Sequence, residues 1–225
     1  MDVTAGELFD IYAIEGGEPR PIGVAPRSEV HAKGLWHRSF HCWLARPDAA
    51  TGRLLVRFQK RASGKDTFPD RYDITVAGHL AAGETHRDAA REIDEEIGLA
   101  IPFDRLTFLF ECRSERAGEA RGVPFVDREI SRVYAVLRDE PLDAFRLQAE
   151  ETSGIFEADA RGLIALFEGR IPELEAEGRV PGEGGLRPSI ERVTADRFVP
   201  RDPSYYLEVF RRLLQMVPPD RPRSS

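Results

Sequence analysis

The sequence predicts a single α/β or α+β domain, and three observations carry that expectation. The chain has 225 residues, 41 % of them hydrophobic, enough apolar material for one sizeable core. Short stretches with strand-like alternation recur along it, bounded by Gly-, Pro- and Asp-bearing turns. Only a few stretches have helical spacing, and they are interspersed with the strands. No internal repeat is visible.

In chain order, residues 7–14 and 21–26 read as two strands around a Gly-rich turn. Residues 27–34 read as one or two helical turns closed by Gly34. Residues 39–45 are aromatic and mostly apolar, as a buried strand requires. Residues 53–60 alternate Leu54, Val56 and Phe58 against Leu55, Arg57 and Gln59, the pattern of a half-buried strand. A short strand over 72–76 leads into Gly78. Strands are expected at 106–111 and 130–137, with a Gly- and charge-rich loop over 114–127 between them. Residues 153–157 read as a strand, and 158–167 have helical spacing with Gly169 to stop them. The Pro-, Gly-, Glu- and Arg-rich stretch 169–203 reads as irregular. Residues 204–216 read as an amphipathic helix with Ser204 as N-cap, and the remaining tail as disordered. The expected organisation is an N-terminal extension over 1–34, a central domain over 35–168 and a C-terminal extension over 169–225.

The formal net charge of −7 argues against general nucleic-acid binding, which draws on released counterions. Cys42 and Cys112 have no CxxC spacing, so neither a disulfide framework nor a zinc site is expected. The N-terminus lacks a basic start and an apolar run of signal length, and no window approaches the roughly 18 apolar residues of a membrane span. A cytoplasmic protein with no membrane partner is expected.

The stretch from Gly78 to Gly98 gathers six acidic residues in twenty-one. Thr85 and Asp88 fit a capping box, which puts the start of a helix near His86, and Gly98 fits a left-handed C-terminal cap. At roughly 100° per residue, Glu92, Glu95 and Glu96 share one arc, while Ala89, Ile93 and Ile97 share a neighbouring arc that packs on the sheet. A solvated acidic face is the plain alternative. Against it, no lysine lies between Glu84 and Gly98, and only Arg87 and Arg91 are available. A hard cation such as Mg²⁺ takes a few carboxylates and substrate phosphates. Gly78 and Gly83 allow the backbone close to such a ligand.

The order Gly78, Glu84, Arg91-Glu92-Ile93, Glu95-Glu96 and Gly98-Leu99 resembles the Nudix box, with six rather than seven residues between Glu84 and Arg91. The resemblance implies a Nudix fold: a mixed sheet sandwiched between helices, here with an N-terminal hairpin and a C-terminal helical extension. It implies a pyrophosphohydrolase that cleaves a diphosphate bond in a nucleoside diphosphate linked to a group X, with Mg²⁺ or Mn²⁺ as cofactor. It also implies that Glu92, Glu95 and Glu96 hold metal with Gly78 backbone nearby, and that Arg91 orients a glutamate. Glu129 is the first candidate for a further carboxylate acting as base, and Glu111 the second.

A second resemblance runs through Leu35-Trp-His-Arg-Ser-Phe40, Gln59-Lys-Arg61, Ala77-Gly-His79 and Asp127-Arg-Glu129, which are similar to the framework of isopentenyl-diphosphate isomerase. That enzyme implies a cysteine where this chain has Ala77, and a histidine-rich metal site that His37 and His79 match while His31 is one residue out of spacing. Ala77 and the complete glutamate set favour hydrolysis over isomerisation. A non-catalytic sensor of nucleotide derivatives is disfavoured because no box glutamate is lost. His79 is a candidate phosphate contact, and His41 beside Trp43 reads as packing. Arg57, Lys60, Arg61 and Lys65 read as a basic cluster that attracts substrate phosphates, against the alternative of a solvated strand edge. Recognition of X falls to the 114–126 loop and the segment after Gly169. The hairpin and the last helix are candidates to cover the domain or to form a homodimer contact.

Overall fold

The computed structural model describes residues 6–120 and 122–217. Strands β1 (Leu8–Glu15) and β2 (Glu18–Pro26) form the N-terminal hairpin, followed by α1 (Arg27–Lys33), which Gly34 closes at φ 62°. The long strand β3 (Trp36–Asp48) precedes β4 (Arg53–Arg61), β5 (Tyr72–Asp73) and β6 (Val76–His79). The acidic helix α2 (Glu92–Ile97) leads to the hairpin of β7 (Thr107–Ala120) and β8 (Val123–Leu137). The chain continues through β9 (Thr152–Asp159), α3 (Ala160–Phe167), β10 (Leu174–Gly182), β11 (Gly185–Val193) and α4 (Pro203–Met216).

The eleven strands make one mixed sheet in the order β11-β10-β9-β4-β3-β1-β2, with β8 parallel to β3 and β7 on β8. One edge of β3 is taken by β8 along Trp36–Ala45. The other edge is shared: β4 pairs at Ala45–Asp48 and β6 at Ser39–Cys42. The sheet therefore splits between β4 and β6. Alternation along β3 sorts the core into two layers. Trp43 packs with Phe58, Phe156, Tyr206 and Phe210 under α3 and α4, while Phe40, Cys42 and Leu44 pack with Ile93 and Ile97 of α2. The expected sandwich of a sheet between helices is borne out.

Four expectations are corrected. The α-helix begins at Glu92, not His86, and is preceded by a 3₁₀ turn over Asp88–Arg91. The Thr85–Asp88 box forms nonetheless, with Thr85 N and Oγ1 donating to Asp88 Oδ2 at 2.9 and 2.7 Å. The 114–127 loop is instead the body of the β7–β8 hairpin, because its charges pair across the strands, as Arg128 does with Glu115 at 2.6 Å. The 169–203 stretch is not irregular throughout: β10 and β11 pair from Leu174↔Val193 to Gly182↔Gly185, and Ala176 and Val193 are fully buried. The cap of α4 is Asp202, whose side chain accepts from Ser204 N, with Pro203 at the first helical position. The tail expected to be disordered lies outside the described residues. The hairpin and α4 both cover their own domain: β1 pairs with β3, and α4 buries Val209, Phe210 and Leu213.

Candidate active site

Helix α2 carries its glutamates to the split in the sheet. Ile93 and Ile97 are fully buried and hold the helix down, and Gly98 ends it at φ 70°. Glu92, Glu95 and Glu96 do not point alike. Glu96 is buried, Glu92 is half-buried, and Glu95 is more than half exposed at the rim. Gly78 lies against Glu92, and a Cβ added there would stand 2.7 Å from Glu92 Cδ and Cγ. Arg91 is bonded to Glu92 and reaches Glu95 at 3.2 Å. Its Nε and Nη2 also grip Glu84 at 3.2 and 3.3 Å, and Glu84 accepts from Ala81 N at 2.8 Å. A 3₁₀ turn over Asp88–Arg91 lies between Glu84 and α2.

Glu96 enters the split, where Gln59 Nε2 of β4 donates to its Oε2 at 3.2 Å. Thr152 Oγ1 donates to Gln59 Oε1 and so fixes the amide. Burial pushes the Glu96 carboxyl well above the usual carboxylate range, and the Glu92 and Glu151 carboxylates add to it. Burial also raises Glu92, against the pull of Arg91. A buried carboxylate facing others of its kind is costly without a cation.

On the opposite face of β3, alternation aligns His37, Ser39 and His41 with Glu129 and Ser131 of β8 and His79 of β6. His79 Nε2 donates to Glu129 Oε1 at 3.2 Å, and Arg116 Nη2 donates to Glu129 Oε2 at 2.9 Å and to Asp127 Oδ2 at 2.8 Å. Burial alone would raise the Glu129 carboxyl, but Arg116 and His79 outweigh it and hold the group well below the usual range. His31, His37, His79 and Asp127 each offer a ligand atom, all within 4.8 Å of one another. His37 donates through Nδ1 to the Leu35 carbonyl at 3.0 Å, so Nε2 carries the lone pair. That lone pair faces Asp127 Oδ1 at 3.5 Å, and both atoms are buried without a hydrogen-bond partner. Burial, then the neighbouring His79, lowers His37 to about 4, so the ring is neutral. Two acceptors turned on each other call for a cation, and imidazole–carboxylate sets suit transition metals.

The histidine–Asp127 group has donor spacing that fits a divalent ion, whereas Glu92 and Glu96 are neighbours whose carboxylates repel each other at the split. The structure brings Arg91, Glu92, Glu96 and Gly78 to the split, with Glu95 at its rim; His79, whose charge reaches Glu92, and its partner Glu129 stand on the opposite face of β3. Of the expected basic cluster, Lys65 pairs with Glu151 and its charge reaches Glu96, while the other three are committed elsewhere. Arg57 is fully buried, bonded to the Glu140 carbonyl and paired with Glu157 at 3.4 Å. Lys60 pairs with Glu191 of β11 at 2.9 Å. Arg61 pairs with Asp73 at 3.1 Å and with the Thr67 carbonyl. Glu111 is committed to Arg132 at 3.0 Å on the other face of β7. Sequence reasoning missed Arg116, and it quoted Gln59 and Asp127 as framework residues without giving either a role. It set His31 aside on spacing, but α1 and the Gly34 reversal bring that ring within 5.4 Å of His37.

A split mixed sheet with an acidic loop–helix–loop at its opening defines the class: a hydrolase-type α+β domain built around carboxylates. The NUDIX domain family matches residues 35–164, and the chain belongs to the Nudix hydrolase family. It is 32 % identical over 210 residues to an uncharacterized Nudix hydrolase of Clostridium acetobutylicum, covering 92 % of this chain and 97 % of that one. An isopentenyl-diphosphate Δ-isomerase of Leifsonia xyli is 34 % identical over 147 residues, covering 64 % of this chain and 74 % of that one. A prenyl-diphosphate phosphatase of Methanosarcina mazei is 37 % identical over 97 residues, covering 43 % of this chain and 54 % of that one. Among the described residues, no helix is long and apolar enough to cross a membrane.

Proposed function

We propose that this chain is a divalent-metal-dependent pyrophosphohydrolase that cleaves the diphosphate bond of a nucleoside diphosphate linked to a group X. The observation that carries the reading is Glu96, a carboxyl buried in an acidic split beside Glu92 and Glu151, with Lys65 pulling the other way. In this reading Glu92, Glu95 and Glu96, with the Gly78 backbone, hold Mg²⁺ or Mn²⁺. When bound, the ion supplies charge neutralisation and Lewis-acid polarisation of the diphosphate. Arg91 aligns Glu92 and Glu95 through its ion pairs. Glu129, ionised at neutral pH between Arg116 and His79, accepts a proton as water adds to phosphorus. One phosphorus–oxygen bond forms, the bridging one breaks, and two phosphate products leave. His79, bonded to Glu129 at 3.2 Å, is in this reading also a contact for a substrate phosphate.

The test is Glu96→Gln, which removes the charge at nearly constant volume. Turnover should drop at least about a hundredfold with the fold retained. Full activity in this variant sinks the assignment.

A second reading, isomerisation of a prenyl diphosphate, draws on the histidine–Asp127 group. It is weakened at Ala77, which pairs with His41 and has no proton to exchange. Solvent deuterium entering isopentenyl diphosphate would establish it, and its absence during turnover would exclude it.

A further inference from the structure

His41 and Trp43 stand two residues apart on β3 and share the face covered by α4. Both meet the hydroxyl of Tyr205 in the first turn of that helix: Trp43 Nε1 at 3.1 Å and His41 Nδ1 at 3.0 Å. An indole N–H can only donate, so the Tyr205 oxygen accepts from Trp43. The phenolic proton is then free to bond His41 Nδ1. An Nδ1 that accepts puts the ring proton of a neutral imidazole on Nε2. Burial lowers His41 to about 3, with Arg201 adding to the effect, and burial keeps the Tyr205 hydroxyl protonated.

His41 Nε2 lies 4.0 Å from Glu129 Oε2. The His41 side chain lines a cavity of about 410 Å³ together with Phe110, Cys112, Ser131, Arg201 and Tyr205. Glu129 is already held by His79 on Oε1 and Arg116 on Oε2. A separation of 4.0 Å exceeds a direct hydrogen bond but suits one bridging oxygen.

We propose that Tyr205 is a positioning residue of the hydrolytic site, fixing His41 as the Nε2–H tautomer so that this N–H and the Glu129 carboxylate together orient the attacking water. The proposal rests on the reading of Glu129 as the general base. It gives the C-terminal extension a part in the reaction: α4 reaches across the cavity to set a proton on β3. His41, which the sequence presented as packing, becomes a directional donor.

Two measurements on the full chain test it. Nitrogen–proton correlation of the histidine rings should show His41 protonated on Nε2 and bare on Nδ1. In Tyr205→Phe, the ring should become a mixture of tautomers. With metal and substrate, Tyr205→Phe should lower kcat about ten- to a hundredfold with KM within about threefold. His41→Gln, which can keep an N–H near Nε2, should retain more activity than His41→Ala. A wild-type His41 protonated on Nδ1 overturns the proposal whatever the substrate is. So does a Tyr205→Phe variant that keeps its fold and its kcat. Wild-type protein with the Nε2–H tautomer but no turnover of any diphosphate overturns the hydrolase reading, and this role of Tyr205 falls with it.

Discussion

Gly78→Ala isolates the geometry of the candidate metal site from its chemistry. The substitution adds one methyl group and changes no charge. The backbone accepts it, because Gly78 is not among the positive-φ residues and lies in β6. The space does not: the new Cβ would stand 2.7 Å from Glu92 Cδ and Cγ and 3.0 Å from Oε1. Ordinary carbon–carbon contact is about 3.5 Å or more, so the Glu92 carboxylate must retreat by about 1 Å. Glu92 is a flexible side chain, so it can swing away at little cost to folding. Its carboxylate then no longer sits beside Glu96. A misplacement of about 1 Å at a reacting centre costs on the order of a hundredfold in rate, equivalent to about 2.7 kcal/mol in the barrier. The assay is kcat/KM at saturating Mg²⁺, with metal affinity by Mn²⁺ titration and folding by thermal melt. Weakened metal binding and a rate near one hundredth of wild type, with the melting temperature held within a few degrees, are expected. A variant within threefold of wild type in both rate and metal affinity would refute the argument that Gly78 is there to admit Glu92.

Metal-free stability should depend on pH through Glu96. Its carboxyl is raised above the ordinary 4.5, so the folded state binds the proton more tightly than the unfolded chain. Stability is then lost as pH rises from about 4.5 through the raised value. In EDTA, Glu96→Gln should melt above wild type at pH 8 and close to it at pH 4; a wild type that melts higher at pH 8 would contradict the buried charge. Glu129 and Asp73 act in the opposite sense. Burial raises both, but Arg116 and His79 on Glu129, and Arg201 and Arg61 on Asp73, outweigh it, so their support is lost as pH falls below the unfolded carboxylate range. Gly178→Ala tests the β9–β10 contact, because a Cβ would stand 2.3 Å from Phe156 Cδ1 and 2.6 Å from the Ile155 carbonyl. Overpacking of this kind costs about 1–3 kcal/mol, about 2–12 °C in melting temperature for a chain of this size, with kcat unaffected. An unchanged melting temperature would show that the strand shifts freely.

The acidic helix was legible because it violates an ordinary rule: Glu92, Glu95 and Glu96 crowd like charge with too few partners, between a capping box and a left-handed glycine. The hairpin of β1 and β2, strand β3 and helix α4 were legible from alternation, turn residues and amphipathic spacing. Other features were not, for physical reasons. Alternation assigned Arg57 to the second face of β4 but could not reveal that this face is also covered, by Phe145 and Glu140. The β10–β11 hairpin is mostly exposed, with Ala176, Gly178 and Val193 its buried positions among polar neighbours, so its composition reads as loop. The length of β7 and β8 is maintained by cross-strand ion pairs rather than by apolar alternation. His31 was misjudged because spacing along a chain is not distance: a seven-residue helix and the reversal at Gly34 bring it to His37 and Asp127. Arg116 and Asp127 lay inside the stretch read as a loop, and their convergence on Glu129 appears only once the β7–β8 register is known.

The central claim is that the split in this sheet hydrolyses a diphosphate with a divalent cation. The most direct measurement is phosphate and nucleotide release from nucleotide sugars, dinucleoside polyphosphates, nucleoside triphosphates, coenzyme A, NAD and isopentenyl diphosphate, each with Mg²⁺, with Mn²⁺ and with EDTA. Turnover of one class, dependent on the cation and abolished by EDTA, is expected. Release that continues undiminished in EDTA, or folded and metal-loaded protein that releases product from none of them, would contradict it.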